Sequence, residues 1–187
     1  MIRTAFTLCA ILSASSAHAE APLPFAVGGA YELTNQHGQT RTQIDPDGLP
    51  QLVFFGYANC PGICSVAMPL MADVVDDMAQ RGQTVRPVMI TVDPARDTVD
   101  NMADPLANFH PEFIGLTGAQ SALDASYAAF NVEHKLAYND PEYGPVYSHG
   151  SLIYLMDSTG DVLTVLPPVL DAKRAADITW KYIKPAG

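Results

Sequence analysis

A chain of 187 residues with 20 acidic against 10 basic side chains carries a formal net charge of −10. That acidity argues against nucleic acid and anionic lipid as partners, since both are polyanions. The length suits one domain with a real core, and there is no internal repeat or low-complexity tract to suggest more.

Met1-Ile2-Arg3 supplies a short cationic start, Ala5 to Ala14 a largely apolar run, and Ala17-His18-Ala19 an A-x-A site. In that order they predict a secretory signal peptide over 1–19, cleaved after Ala19. The run is short of the ~18 residues of a membrane span, so an uncleaved anchor is the alternative rather than the expectation. Cys9 does not read as a lipoprotein site, because Leu8 stands where a small residue is wanted. The expected product is a single domain over 20–187, exported to the periplasm, soluble and monomeric.

Next come Tyr31–Thr34 and Thr40–Ile44, a predicted N-terminal hairpin turning around His37-Gly38. Gln51–Gly56 is nearly all apolar, as in a central strand buried on both faces. From Cys64 to Gln80, Val66, Leu70, Val74, Val75 and Met78 are spaced as a helix stripe. Met68, Met71 and Met78 on this segment read as core filler rather than metal ligands. Val85–Val92 predicts a strand ending at Asp93-Pro94. A helix is then expected from Asp97 toward Phe109, kinked or cut short by Pro105. Phe113–Leu116 is a short strand, Ser121–Phe130 a helix and Val132–Ala137 an extended stretch, before a Pro-, Gly-, Asn- and Asp-rich loop over 138–146. Ser151–Met156 and Val162–Leu166 flank Asp157-Ser158-Thr159-Gly160 as a second hairpin, and Leu170–Ile183 closes as a helix. Parallel βαβ units followed by an antiparallel hairpin and a helix predict an α/β, thioredoxin-like sandwich: a mixed central sheet with helices on both faces.

Once Cys9 leaves with the signal, Cys60 and Cys64 are the remaining cysteines. A bridge closing so short a loop stabilises little, so the pair reads as redox or metal chemistry rather than a structural disulfide. Pro61 suits a first helical turn, which places Cys60 near a helix N-terminus and Cys64 one turn on. There the helix dipole favours thiolate over thiol. The pair alone is equally suited to disulfide exchange and to a soft metal. His149, in the loop entering the Ser151–Met156 strand, lies beside such cysteines in a thioredoxin-like fold. Two thiolates and an imidazole suit copper, and the lack of a fourth side-chain ligand speaks against structural zinc. A merely satisfied histidine is the alternative on position alone. His37, His110 and His134 show no ligand spacing and are unassigned.

Cys60-Pro61-Gly62-Ile63-Cys64 after Phe54-Phe55-Gly56, Thr91–Thr98 (T-V-D-P-A-R-D-T), Phe113–Gly118, and His149 ahead of Tyr154-Leu155-Met156-Asp157 follow one another in register. Together they resemble the SCO/SenC family across roughly Gly29 to Ile183. The resemblance implies copper, as Cu(I) or Cu(II), held by Cys60, Cys64 and His149, with Asp93 a candidate neighbour of the ligands, although an Asp-Pro turn explains it as well. Arg96 and Asp97 are expected to pair or cap locally. It further implies a copper chaperone supplying or maturing the Cu-A centre of cytochrome c oxidase. Its partners would be the oxidase subunit carrying Cu-A and another periplasmic copper chaperone or a thioredoxin-like reductant. Ser65 stands where the family usually has proline. Ser148 and Gly150 replace the common aspartate and serine, and the missing acid is expected to weaken the orientation of the imidazole.

The rival reading is a thiol–disulfide oxidoreductase acting through Cys60 and Cys64, on apo-Cu-A or another disulfide. The usual redox motif, however, has one residue fewer between its thiols, and dithiol exchange has no need of His149. A peroxiredoxin wants Thr or Ser where this chain has Tyr57. A copper sensor or reserve would share the same ligand set.

Overall fold

The computed structural model describes residues 23–58 and 64–185, the side chain of Cys64 excepted. The expected signal peptide and the turn carrying Cys60 lie outside the described residues. In chain order the elements are β1 (Glu32–Asn35), β2 (Thr40–Thr42), β3 (Gln51–Gly56), α1 (Cys64–Gln80), β4 (Arg86–Thr91), α2 (Ala103–Ala107) and β5 (Ile114–Thr117). There follow α3 (Gln120–Ala129), β6 (Lys135–Asp140), β7 (Gly144–Ser148), β8 (Ile153–Met156), β9 (Val162–Leu166) and α4 (Ala172–Ile183).

Seven strands form one sheet in the order β2-β1-β5-β4-β3-β8-β9. β3, β4 and β5 run parallel, with antiparallel β1 and β2 on one side and β8 and β9 on the other. Leu52 to Phe55 of β3 are fully buried, as a run without polar alternation requires of a strand covered on both faces. Phe55 turns its ring to Tyr127 of α3 and to Phe130 just beyond it, at centroid distances of 6.0 and 5.2 Å. Phe54, next along the strand, points to the opposite face. α1 lies on β3 and β4 and packs against α4, a contact tied by Arg81 to Asp177 at 2.9 Å and over the Trp180 ring. The mixed sheet with helices on both faces is the predicted sandwich.

Three segments differ from the sequence reading. Val66 is half-exposed, while Ala67, Met68, Met71, Val74 and Met78 are buried. Leu70 and Val75 of the expected stripe are buried as well, so Val66 alone departs from it, and the methionines fill the core beside it as expected. The helix expected from Asp97 starts only at Ala103, because Asp97 is drawn into the interior instead of capping. Pro105 lies in the first turn of α2, where its missing N–H leaves no intrahelical bond unmade. The supposed loop over 138–146 is mostly ordered as the β6–β7 hairpin, a separate two-stranded sheet with a bulge between Leu136 and Tyr138. Its turn is made by Asp140, whose carboxylate accepts from the Glu142 and Tyr143 N–H groups at 2.8 and 2.9 Å, and by Gly144 at φ +73°.

Candidate metal centre

The site is assembled where β3 ends. β8 pairs antiparallel with β3, Phe54 opposite Ile153, so the start of β8 meets the end of β3 from which the chain runs on to Cys60. His149, just upstream of β8, is therefore carried to that end. Its ring packs edge-on against Phe54 at 5.8 Å and Tyr57 at 5.9 Å. Its Nδ1 lies 2.9 Å from the Gly150 carbonyl oxygen. A carbonyl only accepts, so this bond needs the proton on Nδ1, and in the neutral ring the lone pair is then on Nε2. That is the tautomer for metal binding through Nε2. The acceptor on Nδ1 is the Gly150 carbonyl, where the sequence offers no acid at Ser148.

Ala58, from which the chain runs on to Cys60, is tied to the turn after β4. The Ala58 N–H donates to Asp97 Oδ2 at 3.0 Å, and Thr91 Oγ1 donates to the same oxygen at 2.7 Å. Asp97 is 2% exposed and lies well along the chain from Ala58, so it is a long-range tie and not a local cap. Cys64 is the first residue of α1. Its thiol, and Cys60 altogether, lie outside the described residues. Among the described residues, no group of three or more His, Cys, Asp and Glu side chains is placed to hold a metal.

Asp93 is 1% exposed. Its carboxylate pairs with Arg96, its N–H donates to Thr91 Oγ1 at 2.9 Å, and its carbonyl accepts from the Arg96 and Asp97 N–H groups. It forms the turn expected of Asp-Pro, and its carboxylate is directed to Arg96. The expected local pairing of Arg96 is present. Sequence reasoning missed that the same guanidinium also reaches the Tyr143 and Pro145 carbonyls of the β6–β7 hairpin. His134 packs between Tyr127 and Tyr147, at 5.0 and 5.6 Å, and Tyr147 packs on Tyr57. His110 faces Asp76 on the exterior, 3.4 Å away.

The family model for SCO1/SenC matches residues 19–184. The chain belongs to the SCO1/SenC family. Protein SenC of Rhodobacter capsulatus is 37% identical over 131 residues, 70% of this chain and 59% of that protein. An SCO2-like protein of Rickettsia felis is 34% identical over 140 residues, 73% of this chain and 67% of the other. The chain thus spans about two thirds or less of these relatives' lengths. Arabidopsis thaliana ScoI, solved with copper bound, superposes with a TM-score of 0.78 at 27% identity, covering 85% of this chain and 99% of that one. The SCO1/SenC fold is the thioredoxin-like sandwich seen here.

Within this SCO1/SenC chain, burial raises the pKa of Asp97 above its ordinary value of 3.8, against the lowering effect of the Thr91 and Ala58 hydrogen bonds. The folded state therefore binds this proton more tightly than the unfolded state. Stability from this group is full below 3.8 and declines as pH rises through the elevated folded pKa. An Asp97→Asn variant keeps an acceptor for Ala58 but no titration. Urea unfolding from pH 4 to 7 should show the variant gaining on wild type as pH rises. A stability difference that does not move in the variant's favour as pH rises would remove Asp97 from the pH dependence.

Proposed function

We propose that this chain is a periplasmic copper carrier that binds copper through Cys60, Cys64 and His149 and passes it to the Cu-A centre of cytochrome c oxidase. The observation that carries the reading is His149, which the β3–β8 pairing brings to the end of β3 that leads to the cysteines, its Nδ1 bonded to the Gly150 carbonyl so that Nε2 carries the lone pair of the neutral ring. The copper held by a structural relative and membership of the SCO1/SenC family support it. Export rests on the signal-like 1–19 segment, and no described helix is long and apolar enough to cross a membrane.

Copper is cargo here. The thiols supply soft anionic donors, and the N-terminus of α1 at Cys64 lowers the cost of their ionisation. His149 supplies a third, imidazole donor. Three donors hold a copper ion without saturating it, which leaves room for an incoming thiolate of the acceptor to begin exchange. Both cysteines must be reduced and deprotonated for loading, so uptake should weaken as pH falls.

The test is transfer. Reduced chain loaded with one equivalent of Cu(I) is mixed with an apo-Cu-A domain, and the purple mixed-valence absorption is followed after reoxidation. Transfer that fails for His149→Ala supports a carrier. Absence of tight copper, with Cys60 and Cys64 exchanging a disulfide with the same domain, would assign the chain to thiol–disulfide exchange instead.

A further inference from the structure

We propose that Arg96 is a positioning residue for the copper site: it clasps the β6–β7 hairpin and so sets where His149 stands relative to the cysteine arm. The inference deepens the copper-carrier reading and rests on it.

The hairpin needs an anchor. β6 and β7 pair only with each other and are hydrogen-bonded to no strand of the seven-stranded sheet. β6 is exposed along nearly its whole length. A two-stranded hairpin of this kind is at best marginally stable by itself, and its position must come from side chains. Yet β7 ends at Ser148, directly before His149, so whatever fixes the hairpin fixes the histidine's approach.

Arg96 supplies that anchor with its whole guanidinium group. Nε pairs with the buried Asp93 carboxylate, Nη1 donates to the Tyr143 carbonyl, and Nη2 donates to the Pro145 carbonyl at 2.6 Å. Its Cζ also lies 5.4 Å from the centroid of the Tyr57 ring, the ring that packs against His149. The hairpin is shaped to receive it. Gly144 sits between the two carbonyls at φ +73°, and a Cβ there would stand 3.2 Å from Arg96 Nη1. A planar fork that donates in two directions while presenting a face to an aromatic ring is a task for arginine and not for lysine.

The adjacent residue works on the other arm. Asp97 holds the Ala58 N–H, two residues before Cys60. Neighbouring side chains of one turn after β4 therefore hold Ala58, where β3 runs out, and the hairpin that leads to His149. Among the described residues, the guanidinium hydrogen bonds of Arg96 go to Asp93 and to the Tyr143 and Pro145 carbonyls, not to His149. Arg96 acts through backbone carbonyls and through Tyr57.

The test compares wild type with Arg96→Lys, Arg96→Ala, His149→Ala and the Arg96→Ala/His149→Ala double variant. Copper release to a chelator is timed, nitrogen hyperfine structure is read by electron paramagnetic resonance of the Cu(II) form, and the His149 ring resonance is followed in the copper-free protein. Expected are a retained sulfur-to-copper absorption band, weakened nitrogen hyperfine structure and release faster by about 10–100-fold, the usual cost of losing an outer partner of a ligand. Arg96→Lys should not restore wild-type behaviour. The double variant should release copper no faster than His149→Ala alone, since both changes disable one arm. Wild-type hyperfine structure and release in Arg96→Ala, even with a lowered melting temperature, would overturn the proposal, as would additive effects in the double variant. If His149→Ala itself leaves copper binding unchanged, the carrier reading's ligand set fails separately. The ring resonance then decides for Arg96: displacement in Arg96→Lys supports positioning, and coincidence with wild type refutes it. Should Arg96→Ala not fold, Arg96→Lys and Arg96→Gln carry the same comparison, with Arg96→Gln/His149→Ala as the double variant.

Discussion

Titrated with copper after reduction, the chain should bind one equivalent tightly and show a sulfur-to-copper charge-transfer band that Cys60→Ser and Cys64→Ser abolish and His149→Ala displaces. The expected loss of affinity in each variant exceeds the roughly 10–100-fold that follows removal of an outer-shell partner, because a donor bond itself is gone. His149→Ala is the most informative of the three. The ring sits against Phe54 and Tyr57 beyond the end of β3 and is itself only partly buried, so the variant should fold. Its Nδ1 bond to Gly150 is lost together with its partner's need for it, since that carbonyl is on the partly exposed loop before β8. The dithiol should still exchange disulfides in this variant, separating copper chemistry from redox chemistry. Unchanged Cu(I) and Cu(II) binding in His149→Ala would sink the three-donor arrangement.

Phe55→Ala should produce the largest loss of stability. The side chain is fully buried and meets three rings, Tyr127 at 6.0 Å, Phe130 at 5.2 Å and Tyr154 at 5.9 Å. Truncating a phenylalanine in such a core removes its transfer energy and leaves a cavity, about 3–5 kcal/mol together, with aromatic packing adding to the upper end. The thermal midpoint should fall by roughly 10 °C for a chain of this size. Copper stoichiometry should survive, because Phe55 faces α3 whereas Phe54, on the opposite face, touches His149. Chemical denaturation followed beside copper titration checks both halves. A cost below about 1 kcal/mol would mean that the cavity collapses far more completely than packed cores normally do.

Regular periodicity explains what was readable beforehand. β3 announces itself by an unbroken apolar run, α1 by its stripe, and the β8–β9 hairpin by Asp157-Ser158-Thr159-Gly160 between two apolar segments; all three stand where they were expected. The β6–β7 hairpin escaped because its strands carry Asn, Asp, Pro and Gly and bury little on either face. Without a buried face there is no alternation to read. Asp97 resembled a helix cap because caps and long-range buried acceptors use the same residue type. Only the fold shows that its partner is the Ala58 N–H. The reach of Arg96 was illegible for a related reason: it binds backbone carbonyls, and these carry no mark of residue identity. His149 was the reverse case. Its place ahead of β8 follows from chain order once the strand is antiparallel to β3.

That antiparallel pairing has a mechanical consequence. Cys60 and His149 lie far apart in sequence, and the span between them contains α1, β4, β5, α3 and the β6–β7 hairpin. With the proposed ligands, an ion shared by both ends would fasten this span into a loop, as a covalent cross-link would, and remove freedom from the unfolded chain more than from the folded one. Loading thereby braces the whole domain, to an extent set by the free copper concentration relative to its dissociation constant. Unloading relaxes that brace. In a carrier of this kind, loaded and empty forms would then differ in rigidity.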